Sequence, residues 1–189
     1  MAAPLNLRVA VCSENPAKLA EFRALFPDWE LQLLDAGELP PEDGATYLEN
    51  ARSKARFGRL AGPPELWMLA DDSGIEVGAL GGGPGVQTAR WAEGRHVEKL
   101  LAALEGATDR GARYVCELVC LSPQSREYLG TGILTGEIAT APAGTGGFGF
   151  DPVFVPDGET GTVAELGDAW KAEHSHRALA ARDLKRQLV

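Results

Sequence analysis

Leu66-Trp67-Met68-Leu69-Ala70-Asp71-Asp72-Ser73-Gly74 is an apolar run that leads straight into two acids, a hydroxyl and a glycine. Residues 66–70 have the length and composition of a short buried strand, and Gly74 permits a tight exit from it. On that reading both carboxylates are held near the edge of a sheet, the usual placement of a divalent-metal site on an α/β scaffold. Asp oxygens suit Mg²⁺, which takes one or two carboxylates together with substrate phosphates. The same residues fit a strand-terminating Asx turn, because Asp and Ser are ordinary turn formers. This stretch alone leaves both readings open.

The flanking segments supply the rest of the scaffold. Residues 7–12 form a short apolar strand, followed by Asn15 as an N-cap, Pro16 at the first helical position, and Leu19, Phe22 and Phe26 at helical spacing. After a polar, Pro-rich connection over residues 36–45, Thr46 and Glu49 have capping-box spacing and predict a helix to about Ala61. Beyond the two acids come an apolar stretch at residues 75–80 and the loop Gly81-Gly82-Gly83-Pro84-Gly85, too glycine-dense for an element interior. A third helix carries Val97, Leu100, Leu101 and Leu104 and is stopped by Gly106. Residues 112–121 alternate and connect through Ser122-Pro123-Gln124-Ser125 to a second extended stretch at 127–139, which predicts a β-hairpin. A glycine-rich loop at 144–152 leads into a strand at 153–155, and a last helix carries Ala181, Leu184 and Leu188. Strands separated by helices in the first half and a hairpin in the second predict a mixed α/β sheet.

Composition narrows the function. The chain has 189 residues, of which 44% are hydrophobic and 24% charged, enough for a sizeable core in one domain. A formal net charge of −9 argues against a nucleic-acid polymer as partner, since phosphate backbones are bound by clustered Lys and Arg. Cys12, Cys116 and Cys120 form no CxxC pair and are odd in number, so neither a disulfide framework nor a zinc site is indicated. Cys116 and Cys120 share parity in the alternating stretch and read as buried free thiols. No apolar run is long enough to span a membrane, and residues 1–7 lack the apolar core of a signal peptide. A cytoplasmic protein without membrane association is expected.

Several groups have side chains suited to an anionic ligand. Lys18 falls in the first turn of the first helix, where backbone N–H groups and the helix dipole favour an anion, although it also fits an ordinary surface lysine. Residues 13–18 lack the glycines of a Walker loop. Glu49 fits a metal bridge or the helix cap alone, and Asn50 and Lys54 share a helical face. Gly146 to Asp151 sets two aromatics between glycines, a loop suited to stacking a planar ring while its amides and Asp151 read the ring's edge. Lys171, His174, Ser175, His176 and Arg177 add cations and hydrogen-bonding groups, or simply begin a helix with Ser175 as its cap. The histidines are poor candidates for a Mg²⁺ site, which prefers oxygen.

In this order and spacing, the segments resemble the inosine/xanthosine triphosphate pyrophosphatase family over nearly the full chain. The resemblance rests on residues 13–18 before Leu19-Ala20-Glu21-Phe22, on Tyr47-Leu48-Glu49-Asn50-Ala51 with Lys54-Ala55, and on Ala70-Asp71-Asp72-Ser73-Gly74. It extends to Gly82-Gly83-Pro84-Gly85-Val86 with Ala89-Arg90-Trp91, to Gly147-Phe148-Gly149-Phe150-Asp151-Pro152, and to Ser175-His176-Arg177. It implies a single two-lobed α/β domain, with a mixed twisted central sheet flanked by helices and a ligand cleft between the lobes. It further implies Mg²⁺-dependent hydrolysis of ITP, dITP and XTP to the monophosphate and pyrophosphate by a homodimer. Asp72 matches the general base and a metal ligand, with Glu49 and Asp71 completing the acidic site. Ser13, Glu14, Asn15, Pro16, Ala17 and Lys18, with Ser73 and Lys171, match the phosphate and sugar contacts, and Lys54 lies in the same pocket. Phe148, Gly149, Phe150 and Asp151, with His176 and Arg177, match the base-holding positions. Three departures stand out: Glu14 replaces a small glycine, Phe150 replaces the commoner Tyr, and the segment Ala92-Glu93-Gly94-Arg95-His96 lacks a longer insertion. A nucleotide-binding regulator without turnover, and a pyrophosphatase for modified pyrimidines, remain as alternative readings.

Overall fold

The acid-bearing strand runs on through Gly74 in the computed structural model, which describes residues 6–188. Residues 1–5, the start of the stretch read for a targeting segment, and residue 189 lie outside the described residues. The strands β1 (Arg8–Val11), β2 (Glu30–Leu33), β3 (Trp67–Val77), β4 (Gly111–Leu121), β5 (Glu127–Ile138) and β6 (Phe154–Pro156) form one sheet in the order β2-β1-β3-β4-β5-β6. β1 is parallel to both β2 and β3, whereas β5 and β6 are antiparallel, so the sheet is mixed as expected. Helices α1 (Pro16–Leu25), α2 (Tyr47–Ala61), α3 (Thr88–Ala92), α4 (His96–Ala103), α5 (Val163–His174) and α6 (His176–Gln187) complete the chain.

The described chain divides into two units. The first comprises residues up to Asp72, Cys116–Gly132, and those from Arg177; the second comprises Ser73–Val115 and Ile133–His176.

In the first unit α1 leads from β1 to β2, and α2 leads from β2 past β1 to β3. The strands alternate side chains between faces. Val9, Val11 and Leu69 meet Leu19, Phe22 and Leu25 of α1 and Ala181 and Leu184 of α6. Ala10, Cys12, Met68 and Ala70 meet Ala51 and Ala55 of α2. Cys116 and Cys120 fall on the first of these faces as buried free thiols. Local chemistry starts both helices. Asn15 Oδ1 accepts from the Ala17 N–H with Pro16 at the first position, and Thr46 and Glu49 close a full capping box.

The tight exit expected at Gly74 is absent, because β3 continues to Val77. Asp71 and Asp72 find long-range side-chain partners, so neither needs a local Asx turn, and Ile75 and Val77 are themselves buried. The second unit packs Ile75, Val77, Tyr114, Phe150 and Phe154 with Leu100 of α4 and Val163 of α5. Thr88 Oγ1 accepts from the Ile75 N–H at 3.0 Å and donates to the Gly85 carbonyl at 2.6 Å, which moors the glycine-rich loop to β3.

α6 lies so close to β5 that Gly130 has no room for a side chain. A Cβ there would collide with the Ala180 carbonyl and stand 2.9 Å from Leu184 Cβ. Gly130→Ala is expected to destabilise the protein by about 1–3 kcal/mol, the usual cost of overpacking. A thermal melt in which the variant matches the parent would show that the helix shifts freely.

Candidate active site

The parallel pairing of β1 and β3 sets Val11 beside Leu69, and the Cys12 N–H donates to the Leu69 carbonyl at 2.7 Å. The connection from β1 into α1 therefore starts beside the two acids. Within that connection Ser13 Oγ accepts from the Asn15 N–H at 3.2 Å, and Glu14 is exposed. Pro16 and Ala17 form the first turn of α1, which points Lys18 back toward β3.

Asp71 is fully buried and tied to two cations. Lys18 Nζ lies 3.0 Å from Oδ1 and 2.9 Å from Oδ2, and Arg177 Nε lies 3.3 Å from Oδ2. Arg177 also reaches Glu21, with Nη1 2.9 Å from Oε2. Burial alone would raise the Asp71 pKa, but Lys18, Arg177 and Lys54 outweigh it and hold the carboxyl well below the usual carboxylate range.

Asp72, the next residue of the strand, projects to the opposite face. Its Oδ2 accepts from Asn50 Nδ2 at 2.8 Å, and Asn50 Oδ1 accepts from the Gly44 N–H at 2.8 Å. Asn50, one turn into α2, thereby fixes both Asp72 and the loop before the helix. From that loop Glu42 pairs with the buried Lys54 ammonium. Burial pushes the Asp72 pKa up to about 6, opposed by Lys54 and reinforced by the negative charge of Glu42. For Lys54, burial favours the neutral amine, but Asp71, Glu42 and Asp72 together keep its pKa raised and the ammonium charged.

The second unit builds a different cluster around Asp151. Its Oδ2 accepts from the Phe148 N–H at 2.8 Å and from Lys171 Nζ at 2.8 Å, and Tyr114 Oη donates to Oδ1 at 3.4 Å. Lys171 Nζ sits 4.7 Å from the centre of the Phe148 ring. His176 stacks on Tyr114 with centroids 4.6 Å apart and planes 10° from parallel. Gly147 has φ +70°, and a Cβ there would run into the Asp151 carboxylate. The turn at 147–151 is thus a rigid aromatic and amide surface, with Phe150 buried beneath it.

The Ham1 family model matches residues 9–187. This chain belongs to the Ham1 family. It is 38% identical over 185 residues to the dITP/XTP pyrophosphatase of Bdellovibrio bacteriovorus, covering 91% of this chain and 92% of that one. It is 43% identical over 196 residues to the dITP/XTP pyrophosphatase of Ralstonia nicotianae, covering 96% of each. The structure of a HAM1 protein from Coxiella burnetii superposes with a TM-score of 0.80 at 36% identity, covering 96% of this chain and 98% of that one.

In this Ham1 chain Lys18, Lys54, Asp71, Asp72 and Arg177 come together within the first unit, and Phe148, Gly149, Phe150, Asp151, Lys171 and His176 within the second. Ser73 is half-buried on β3. Two residues expected at a metal also make other contacts. Glu49 Oε2 accepts from the Ala45 and Thr46 N–H groups at 2.7 and 3.1 Å, so one oxygen of this exposed carboxylate serves the capping box. Asp71 is enclosed by Lys18 and Arg177, on the face of β3 opposite Asp72. Among the described residues no group of three or more His, Cys, Asp or Glu side chains forms a ready metal cage. Sequence reasoning passed over Glu42, Glu21 and Tyr114. Glu42 sits in a Pro-rich loop without periodicity, and Glu21 reads as one more exposed position of α1. Tyr114 had a usable signal, a phenol in an alternating strand that is 6% exposed and in need of a polar partner.

Proposed function

We propose that this chain hydrolyses the non-standard purine triphosphates ITP, dITP and XTP to the nucleoside monophosphate and pyrophosphate, as one catalytic domain. The observation that carries the reading is Asp72, a carboxylate raised to about 6 and held by Asn50 beside Lys54. Such a group is largely ionised at neutral pH yet more basic than an ordinary Asp, which suits a general base. Asp72 takes a proton from water as the water oxygen attacks phosphorus in line. The bond between the α-phosphorus and its bridging oxygen breaks, and pyrophosphate leaves.

Lys18 and Lys54 neutralise phosphate charge, with Lys18 held in place by Asp71, and Ser13 and Ser73 add hydroxyl contacts. Asp72 and Glu49 would hold Mg²⁺ together with phosphate oxygens, with Asp71 supporting the site through Lys18. Two hard carboxylates without a preformed cage fit that ion, and when bound it orients and neutralises the triphosphate. The turn at 147–151 takes the purine ring, with Lys171 and His176 beside it. A site built to donate to a 6-keto oxygen leaves donors facing donors when adenine enters, a mismatch worth roughly 10⁴ to 10⁵ in rate. The reading also carries a homodimer and a cytoplasmic setting, which sedimentation and cell fractionation test.

Incubation with Mg²⁺ and each of ITP, dITP, XTP, GTP, ATP, dUTP and dTTP is the direct experiment. Pyrophosphate release from ITP, dITP and XTP at rates far above that from ATP is expected. Orthophosphate in its place, or equal rates on ATP and ITP, overturns the proposal. The pH profile adds an independent check. Ionised Asp72 is the active form, so kcat/KM is expected to fall about tenfold per unit once the pH drops below the Asp72 pKa, which burial raises and a bound Mg²⁺ would lower. A profile that stays flat down to the pH at which the fold is lost would remove Asp72 as the base.

A further inference from the structure

The short segment between Trp91 and α4 ends on His96, whose side chain turns toward the ring-binding surface of the second unit. Its imidazole meets Phe150 edge-on, with ring centroids 5.1 Å apart and planes at 79°. Next to it Gly149 has φ +65°, and a Cβ placed there would stand 4.0 Å from His96 Cδ2. The backbone of the turn therefore passes the imidazole with no side chain between them. His96 is anchored from behind by a hydrogen bond to the Gly94 backbone, and partial burial lowers its pKa. Its own helix is pinned by Leu100, which is fully buried in the same core as Phe150.

The turn at 147–151 is thus held from two directions. Asp151 fixes one end through the Phe148 N–H, Lys171 and Tyr114. On the other side Phe150 and Gly149 rest against His96. Without the imidazole, Phe150 has a gap at its edge, and the segment carrying Phe148 gains freedom to tilt.

We propose that His96 is a positioning residue that sets base specificity, bracing Gly149 and Phe150 so that Phe148 and its neighbouring amides hold a 6-keto purine in a single pose. This rests on the pyrophosphatase reading given above. His96 acts through Phe150 and takes no part in the chemistry at phosphorus. Its loss should therefore appear in substrate binding and selection, with turnover at saturation preserved.

Steady-state kinetics of the full chain with ITP and ATP, for the parent, His96→Ala and His96→Phe, test the assignment. His96→Ala is expected to raise KM for ITP roughly three- to tenfold, the range an edge-to-face ring contact supports, and to lower the ITP-to-ATP preference by a similar factor. Its kcat should stay within about twofold. His96→Phe keeps an aromatic edge against Phe150 and should restore both KM and preference; if His96→Ala does not fold, His96→Gln takes its place. A folded, active His96→Ala or His96→Gln with unchanged KM and preference overturns this assignment alone, as does a loss confined to kcat. A parent chain that turns over none of ITP, dITP and XTP overturns the pyrophosphatase reading and this assignment with it.

Discussion

Asp72→Asn is expected to lower pyrophosphate release from ITP by about 10²- to 10⁴-fold, the contribution of a positioned general base, while calorimetric binding of ITP changes little. Asn matches the shape of Asp, and the Asn50 amide still has a carbonyl oxygen to meet where Asp72 Oδ2 now accepts at 2.8 Å. Lys54 keeps Glu42 as its partner, so the ammonium does not lose its only acid. The loop before α2 and the cations of the site should stay in place. What disappears is the proton acceptor, together with one of the carboxylates that would hold the metal. Near-parental turnover by the variant would dismiss Asp72 as the base. A large loss of ITP binding would mean that the carboxylate acts mainly by organising the site.

Asp71→Asn should instead cost stability, by about 3–5 kcal/mol, because removing one member of a buried ion pair strands the other charges. The side chains of Asp71 and Arg177 are 0% and 4% exposed, and that of Lys18 is 15% exposed, so water offers little relief. Glu21 still pairs with Arg177, which places the expected loss below that of removing the arginine. Urea denaturation reads it directly as a lower midpoint at constant slope. The effect also has a pH signature. Asp71 titrates below its unfolded value of 3.8, so its stabilisation is present above about pH 4 and fades as the pH falls toward the lowered native value. The parent should therefore lose its advantage over Asp71→Asn in acid. A gap between the two that stays constant down to pH 2 would contradict the ion-pair account.

Local patterns made much of this fold legible. The caps at Asn15 and Thr46 marked α1 and α2 because each satisfies its own helix within a few residues. The alternation and turn at 112–139 marked the β4–β5 hairpin for the same reason. β2 escaped notice although Glu30-Leu31-Gln32-Leu33 alternates, since four residues carry too little period to stand out after Trp29. α5 escaped as well: Thr162 and Glu165 form a capping box, but Gly167, at φ +80°, interrupts the helical pattern two residues past Glu165. In the candidate site, the strand-to-helix position of Lys18, the place of Asp72 on its strand and the turn at 147–151 were legible from local chemistry. The pairing of Arg177 with Asp71 joins residues 106 positions apart, and no periodicity announces it. Glu49 shows the converse. Two chemistries fitted it from sequence, and the nearer one, its own helix cap, is seen to take one oxygen of the carboxylate.

The alternation of β3 limits how this gene segment can change in length. Leu69 and Asp71 look toward α1 and α6, while Met68, Ala70 and Asp72 look toward α2. Deleting or inserting one residue between Trp67 and Asp71 would exchange the two acids between the faces, setting one against Lys18 and Arg177 that belongs beside Asn50. A change of two residues keeps each acid on its side and shifts it only along the strand. Length variants of this segment that retain activity should therefore differ by even numbers of residues.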